Sequence, residues 1–236
     1  MKKRKPVPPN EEAITDSKDL RMEEYSSFVK TALRRPYLRL IDSALSRIDS
    51  EKSLKILEIG CGPGWISLWL AKKNPGYRVK AIDISQDMLR AAENNKKKEG
   101  VSNVSFLNAD AGRLTDLFGE KFDMVISNGS LQHWQNPLKV IRQSLEVLEK
   151  GGICVISDTR RDLTFKGKVI FRLGCFWLGI AGRRGKKMRK GWQYAVEHAY
   201  TPEELKDELV KNNIDDFEVI TKPVLFTVYI RKQECF

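Results

Sequence analysis

The feature that most constrains the fold is a regular alternation of short apolar runs with longer amphipathic stretches along most of the chain. Short apolar runs bounded by turn residues are typical of buried strands, and 3.6-residue spacing is typical of helices. Strands separated by helices need crossover connections, so we expect a parallel sheet covered on both faces. Predicted strands lie at 54–59, 79–84, 104–107, 122–127 and 153–157, with helices after the first strand, at 86–98 and at 137–149.

The C-terminal part of the chain departs from this alternation. Thr201, with Glu204 three residues later, has the pattern of a capping box and predicts a helix that runs to about Asn212. Two β-rich runs follow at 217–221 and 224–230, and so short a connection forces an antiparallel pair. The sequence therefore predicts an α/β fold with a doubly wound seven-strand sheet, mostly parallel, that ends in an antiparallel hairpin.

The N-terminal region and the cysteines set the domain organisation. Residues 17–50 have helical spacing with aromatic positions and a break at Pro36, which predicts two cap helices, and the basic segment 1–16 is predicted to be a disordered tail without the apolar run of a secretory signal. Residues 17–236 are predicted to form a single domain. The four scattered cysteines indicate neither a disulfide framework nor a metal site, and we expect a cytoplasmic protein.

The net charge of +11 is concentrated in one segment. Residues 160–190 contain eleven Lys or Arg and one acid, Asp162, which leaves 31 bases against 30 acids in the rest of the chain. We expect residues 159–200 to form a basic insertion between the last parallel strand and the C-terminal helix.

A glycine-rich turn directly follows the first predicted strand and contains Gly60, Gly62 and Gly64. Glycines allow close approach of the backbone to a ligand, and the following helix N-terminus offers unpaired N–H groups. Trp65 stands where a dinucleotide-binding GxGxxG motif would have its third glycine, which argues against a nicotinamide-dependent oxidoreductase. Asp83 ends the second strand at the distance where a carboxylate holds a ribose diol.

The motifs "LEIGCGPG", "AIDIS", "NADAGRL", "FDMVISNGSLQHW" and "LEKGGICVISD" occur in this order between residues 55 and 158. This series resembles the successive motifs of class I S-adenosylmethionine-dependent methyltransferases, which have a Rossmann-like fold. The resemblance implies that Asp83 bridges the ribose hydroxyls, that Ile84 lies against the adenine and that Asp110 binds its amine. Asn128 would lie beside the methionine moiety, although Asn128 and Glu58 could instead cap loops. The full set of implied cofactor residues is Glu58, Gly60, Cys61, Gly62, Gly64, Asp83, Ile84, Met88, Asp110, Ala111 and Asn128.

Methyl transfer from a sulfonium is a direct displacement, so it requires alignment of the acceptor and exclusion of water. A general base is needed only if the acceptor must lose a proton. His198, His133 and Tyr194 are the candidate bases or acceptor contacts, and a structural role remains open for each of them. Weaker candidates are Tyr25 and Tyr200, with Trp134 and Trp192 as pocket walls.

The basic insertion contains a stripe at i, i+3, i+4 and i+7 spacing formed by Val169, Ile170, Leu173, Phe176, Trp177 and Ile180. An amphipathic helix with aromatic residues and flanking cations suits a membrane interface, which predicts peripheral contact through residues 166–190. The alternative is that the stripe packs as a lid over the cofactor. A nucleic-acid contact is the weaker third interpretation, because no RNA-binding module accompanies the cations.

These observations predict methyl transfer to a small, hydrophobic or lipid-like acceptor. An RNA or protein methyltransferase that uses the basic insertion is the alternative within the same class. A non-catalytic S-adenosylmethionine-binding module is the alternative of another class, since it would keep the glycine turn and Asp83. The sequence does not distinguish oligomeric states.

Overall fold

The computed structural model describes residues 22–180 and 182–233, so the predicted tail at 1–16 lies outside the described residues. The helices are α1 Met22–Ala32, α2 Arg34–Leu45, α3 Trp65–Lys73, α4 Gln86–Glu99, α5 Leu114–Leu117, α6 Pro137–Val147, α7 Phe165–Ile180, α8 Gly182–His198 and α9 Pro202–Lys211. The strands are β1 Lys55–Ile59, β2 Arg78–Asp83, β3 Val104–Asn108, β4 Phe122–Asn128, β5 Leu148–Thr159, β6 Phe217–Thr221 and β7 Leu225–Arg231.

The seven strands form one sheet in the order β3-β2-β1-β4-β5-β7-β6. Neighbouring strands among β1 to β5 pair in parallel, whereas β7 pairs antiparallel with both β5 and β6. The predicted parallel sheet with a C-terminal antiparallel hairpin is therefore confirmed. The chain reverses its winding direction between β1 and β4, and such a reversal opens a crevice at the carboxyl ends of these two strands.

Two hydrophobic cores lie on opposite faces of the sheet. Successive side chains of a strand point to opposite faces, so Ile56 packs with α2 and α3 while Leu57 packs with α6 and α9. Both side chains are fully buried. This arrangement gives the two covered faces that the alternation predicted.

The N-terminal cap consists of α1 and α2, as predicted, but the break between them lies at Leu33 and not at Pro36. Pro36 is in the first turn of α2, where a missing backbone N–H has no intrahelical acceptor to lose. The predicted start of the cap at residues 17–21 lies outside the described residues.

The junction of α6 and β5 differs from the prediction. The helix ends at Val147 instead of residue 149, and the strand begins at Leu148 instead of residue 153. Gly151 has a positive φ of 73°, and the pairing register with β4 shifts between Phe122 and Met124. The extra residues of β5 are accommodated at this irregularity in the strand pairing, which a periodicity argument does not detect.

The basic insertion folds into two helices, α7 and α8, that pack against each other. The predicted capping box is confirmed at the start of α9, where Thr201 accepts a hydrogen bond from the Glu204 amide and the Glu204 carboxylate accepts one from the Thr201 amide. None of the helices within residues 22–180 and 182–233 is long and apolar enough to cross a membrane.

Candidate cofactor site

The glycine turn connects β1 to α3 through three left-handed glycines. Gly60, Gly62 and Gly64 have φ values of 69°, 51° and 79°, which side chains with a Cβ rarely adopt. A Cβ on Gly60 would lie 2.6 Å from Ser130, whereas a Cβ on Gly62 would meet only the Met88 sulfur at 4.0 Å. The turn is therefore closely packed at Gly60 and open at Gly62.

Asp83 lies at the carboxyl end of β2, beside the glycine turn. Its carboxylate accepts hydrogen bonds from the Gly62 amide at 2.7 Å and from the Ser85 amide at 2.9 Å. Partial burial raises the pKa of Asp83, and these backbone donors oppose that shift. The carboxylate is thereby oriented toward the turn and fixed in place before any ligand binds.

Glu58 lies beneath the turn and is 2% exposed. Its carboxyl group accepts hydrogen bonds from the backbone amide of Ser67, at 2.8 Å, and from the Ser67 hydroxyl. Burial raises the pKa of Glu58 to about 8, although the Ser67 hydrogen bonds lower it. These contacts describe a cap on the first turn of α3, and direct contact of Glu58 with a ligand stays a prediction.

The predicted adenine side lies at the same edge of the sheet. Ile84, directly after β2, has a side chain that is 72% exposed, whereas Met88 in α4 is buried at 6%. Asp110 is exposed and accepts a hydrogen bond from the Gly112 amide at 2.8 Å, so it caps the turn at Ala111–Arg113. An apolar shelf and an exposed carboxylate thus follow the second and third strands.

Two tyrosines of the N-terminal cap join this edge. Tyr37 lies near Asn128, and burial, together with the nearby Tyr25, Glu58 and Asp158, raises its pKa. The pKa of Tyr25 is raised by burial and then by the negative charge of Asp83. Sequence reasoning had Tyr25 only as a weak candidate for the acceptor side and gave Tyr37 no site role, since helical spacing does not reveal which distant strand ends a helix faces.

A buried polar cluster attaches α1 to the glycine turn. The Trp65 indole N–H donates to the backbone carbonyl and hydroxyl of Ser26 at 2.9 and 3.0 Å. The Asn95 amide donates to the same hydroxyl at 2.8 Å and to the Pro63 carbonyl at 2.9 Å. We call Ser26, Trp65 and Asn95 the cap latch, because they join α1, α3 and α4 to the turn.

The end of β4 faces the basic insertion. Ser127 donates through its hydroxyl to the Ile59 carbonyl at 2.9 Å, which ties the ends of β1 and β4 together. Beyond it, the rings of His133 and Tyr194 are parallel within 10° at 6.3 Å, and those of Tyr194 and His198 are stacked at 3.7 Å. The three predicted acceptor-side residues therefore form one row of rings, which we call the ring stack.

The remaining aromatic candidates lie elsewhere. Tyr200 donates its hydroxyl to Glu208 of α9 at 2.9 Å, and Trp134 belongs to a hydrophobic core. Trp192 packs against Phe171 of α7, with ring centroids 4.8 Å apart. The structure thus gives packing partners to these three side chains and does not include them in the ring stack.

The residues at this edge fit an adenosyl sulfonium compound. The space at Gly62 admits a ligand to the backbone, Asp83 supplies acceptors suited to a ribose diol, and Ile84 supplies an exposed apolar surface. Within the residues that the structure describes, no cluster of His, Cys, Asp or Glu suits a metal ion.

Comparison with known proteins agrees with this fit. The chain is 36% identical over 124 residues to malonyl-acyl-carrier-protein O-methyltransferase of Bacillus anthracis, which covers 50% of this chain and 44% of that protein. It is 31% identical over 131 residues to the mitochondrial ubiquinone biosynthesis O-methyltransferase of Candida albicans, which covers 52% and 40%. The chain thus spans less than half the length of each relative.

The fold is shared with the plantazolicin methyltransferase BamL, whose crystal structure contains a triazolic desmethylPZN analog and SAH. The two structures superpose with a TM-score of 0.67 at 17% identity and cover 93% of this chain and 94% of that one. A family model described as a methyltransferase domain matches residues 50–213, well over half of the sequence. The chain therefore belongs to the methyltransferase-domain family and has the class I, Rossmann-like fold of S-adenosylmethionine-dependent methyltransferases.

Proposed function

We propose that this chain transfers a methyl group from S-adenosylmethionine to a small, hydrophobic or lipid-like acceptor. The observation that carries the proposal is the position of the Asp83 carboxylate, which accepts a hydrogen bond from the Gly62 amide at 2.7 Å. The carboxylate lies beside the open space at Gly62 in the glycine turn. A ribose held by Asp83 would place the rest of the cofactor along the turn. When bound, S-adenosylmethionine supplies an electrophilic methyl carbon on a sulfonium.

The chain's own residues then bind S-adenosylmethionine and orient it. Asp83 accepts hydrogen bonds from the two ribose hydroxyls, and Asp110 accepts one from the adenine amine. Ile84 covers the adenine ring. The glycine turn and Asn128 hold the methionine portion, and Tyr37 lies near Asn128. The cap latch keeps α1 over the turn and excludes water from the reacting centre.

The position of the ring stack supports a binding site for the acceptor between the end of β4 and α8. Helix α8 packs on the turn that contains His133, so Tyr194 and His198 are held beside it. The Nδ1 atom of His198 lies 3.0 Å from the Tyr194 carbonyl, and a proton on that nitrogen leaves Nε2 as the basic one. His198 is thereby suited to accept a proton if the acceptor must lose one.

The name of one relative, a malonyl-acyl-carrier-protein methyltransferase, supports a small acyl group as the acceptor. The name of the other, a ubiquinone biosynthesis methyltransferase, supports a hydrophobic acceptor. We propose in addition that residues 166–190 meet a membrane surface, from which such an acceptor would arrive. The proposal makes this chain a cytoplasmic enzyme in peripheral contact with the membrane.

Titration calorimetry with S-adenosylmethionine tests the cofactor part of the proposal. Asp83→Asn keeps the shape of the side chain but removes its charge, and we expect affinity to fall roughly 100-fold because two charge-assisted hydrogen bonds weaken. Asp123→Asn is a matched control, since Asp123 accepts the Lys55 amide at 2.7 Å at the opposite edge of the sheet. Equal affinities of the two variants would contradict the ribose assignment.

The acceptor part is tested by turnover of quinol, phenol and fatty-acyl substrates, followed as S-adenosylhomocysteine production. His198→Gln is expected to lower turnover and to remove its dependence on a basic group, while calorimetry gives an unchanged cofactor affinity. Cofactor binding without turnover of any of these acceptors would favour the non-catalytic module.

A further inference from the structure

Helix α7 presents the part of its apolar stripe from Val169 to Trp177 to solvent, and the side chain of Ile180 is outside the described part of the chain. The side chains of Phe176 and Trp177 are 61% and 64% exposed, Leu173 is 56% exposed and Phe165 is 83% exposed. Val169 and Ile170 on the same side are also exposed. Single exposed apolar residues are ordinary, but a continuous stripe with aromatic residues indicates a surface that is covered by something else.

The opposite side of α7 is the one that packs on the protein. Phe171 contacts Trp192 of α8, and a Cβ on Gly174 would lie 2.4 Å from the same indole. A Cβ on Gly167 would lie 2.0 Å from the Pro223 carbonyl oxygen. The glycine-containing side of α7 therefore faces inward, which favours the interfacial interpretation of the stripe over the lid interpretation.

The charge around this stripe is uniformly positive. Lys168 and Arg172 are exposed on α7, next to the apolar side chains, and Lys166 is exposed in its first turn. Residues 163–190 contain nine Lys or Arg and no acid. The two preceding arginines are paired, Arg160 with Asp162 at 2.6 Å and Arg161 with Glu204.

We propose that α7 docks in the plane of an anionic phospholipid bilayer, with its stripe at the boundary of the acyl chains and its cations among the headgroups. A second copy of this chain would bring nine like charges against nine, which opposes pairing of two such surfaces. A 16-residue helix is about 24 Å long, which is shorter than the hydrocarbon core and suits a helix lying on the surface. Aromatic and cationic residues together are the composition of interfacial helices.

Docking of α7 would also bring the acceptor side of the site, the ring stack, close to the bilayer surface. Helix α8 packs on α7 and contains both Tyr194 and His198 of the ring stack. If the proposed function holds, a hydrophobic acceptor would leave the bilayer directly beside these rings. The docking itself depends only on the exposed stripe and its charge.

Vesicle flotation of the full chain tests the apolar part. Phe176→Ser with Trp177→Ser removes two exposed rings, and we expect partitioning onto phosphatidylcholine–phosphatidylglycerol vesicles to fall at least tenfold. Val210→Ser is the matched control, because Val210 is 55% exposed on α9 and outside the stripe. Equal flotation of the double variant and the control would overturn the proposal.

The electrostatic part is tested by Lys168→Gln with Arg172→Gln. Each cation near an anionic surface contributes a factor of roughly five, so this pair should weaken binding about 25-fold, with the difference reduced at high salt. Lys97→Gln with Lys98→Gln removes the same charge from α4 and should leave the binding nearly unchanged. Equal losses in the two pairs would mean that net charge alone, and not α7, attracts the vesicles.

Two further readouts separate the outcomes. The stripe variants should keep their affinity for S-adenosylmethionine, so loss of flotation with intact calorimetry supports docking, whatever the outcome for the proposed methyl transfer. Quenching by lipids with brominated acyl chains should fall in Trp177→Phe, since that indole would lie at the acyl boundary. A dimer in size-exclusion chromatography that the stripe variants dissociate, without wild-type flotation, would overturn docking in favour of self-association.

Discussion

The N-terminal cap and the α7–α8 pair are both helical additions to the sheet, but they bury opposite kinds of surface. The cap places the buried residues Leu40, Ile41 and Ala44 against the core that contains Ile56. In α7, the apolar stripe is exposed and a narrow side with Gly174 packs inward. The apolar side of the cap is thus buried against the chain itself, whereas α7 exposes an apolar surface that suits a partner.

The polar groups of the two regions differ in the same way: those of the cap latch are buried and paired, and those of α7 are exposed. The cap latch satisfies the Trp65 and Asn95 donors with buried acceptors of Ser26 and of the glycine turn. The cations of α7 lie at the surface. Buried donors with partners fix one geometry, whereas exposed cations suit an external anionic surface. The cap should therefore control cofactor binding and the α7–α8 pair should control docking.

The largest expected effect lies beneath the cap, at Glu58. Its pKa is raised from 4.5 to about 8, so the carboxyl favours its protonated form in the folded state. Its stabilising contribution is complete below about pH 4.5 and is lost as the pH rises through about 8, which corresponds to about 4 kcal/mol between pH 5 and pH 8.

Urea unfolding at several pH values measures this effect. Glu58→Gln keeps an acceptor for the Ser67 hydrogen bonds but cannot ionise, so its free energy of unfolding should decline less toward high pH. If the wild type and Glu58→Gln decline in parallel between pH 5 and pH 8, the assignment of this pH dependence to Glu58 is incorrect.

The cap latch gives the next largest effect. Asn95→Ala leaves the Pro63 carbonyl without its Asn95 donor and removes one of the two donors to the Ser26 hydroxyl, so we expect a loss of roughly 2 kcal/mol in unfolding free energy and about tenfold weaker cofactor binding. Asn103→Ala is the matched control, because its amide donates to the Ala71 carbonyl at 3.0 Å near the opposite edge of the sheet. The control should lose stability without losing cofactor affinity; equal affinities would show that the latch does not act on the turn.

A smaller effect is expected inside the α7–α8 pair. Gly174→Ala forces a Cβ to within 2.4 Å of the rigid Trp192 ring, so the helices must separate at a cost of roughly 1–2 kcal/mol. Thermal unfolding followed by circular dichroism measures the loss, and Gly119→Ala is the control because no atom lies within 4 Å of its added Cβ. Cofactor affinity should stay constant in both variants, and a loss in Gly174→Ala would mean that the two regions are coupled.

The smallest effect is expected at the surface of the cap. Lys30 pairs with Glu99 at 2.7 Å, and its side chain is half exposed, so Lys30→Ala should cost about 0.5 kcal/mol at low salt and less at high salt. Urea unfolding at two salt concentrations measures this, with Lys52→Ala as a control in another exposed pair. If Lys30→Ala lost more unfolding free energy than Asn95→Ala, the surface ion pair and not the buried cap latch would be the main attachment of the cap.

Much of the fold and part of the site could be predicted because they depend on local patterns. Alternating apolar runs determine strands and crossovers, and Thr201 with Glu204 determines a helix start within four residues. The glycine turn and Asp83 lie one strand apart, so parallel pairing alone brings them to one edge. The irregular pairing near Gly151 was not predicted, because it depends on the register between β5 and β4.

The sequence by itself determined the α/β order, the family and the existence of an amphipathic, basic helix, since each depends on residues that are close along the chain or on ordered motifs. Only the tertiary structure decided that Tyr37 lies near Asn128 and that the described part of the α7 stripe faces outward. The physical reason is that periodicity defines which face of a helix is apolar, whereas packing between distant elements decides what that face contacts.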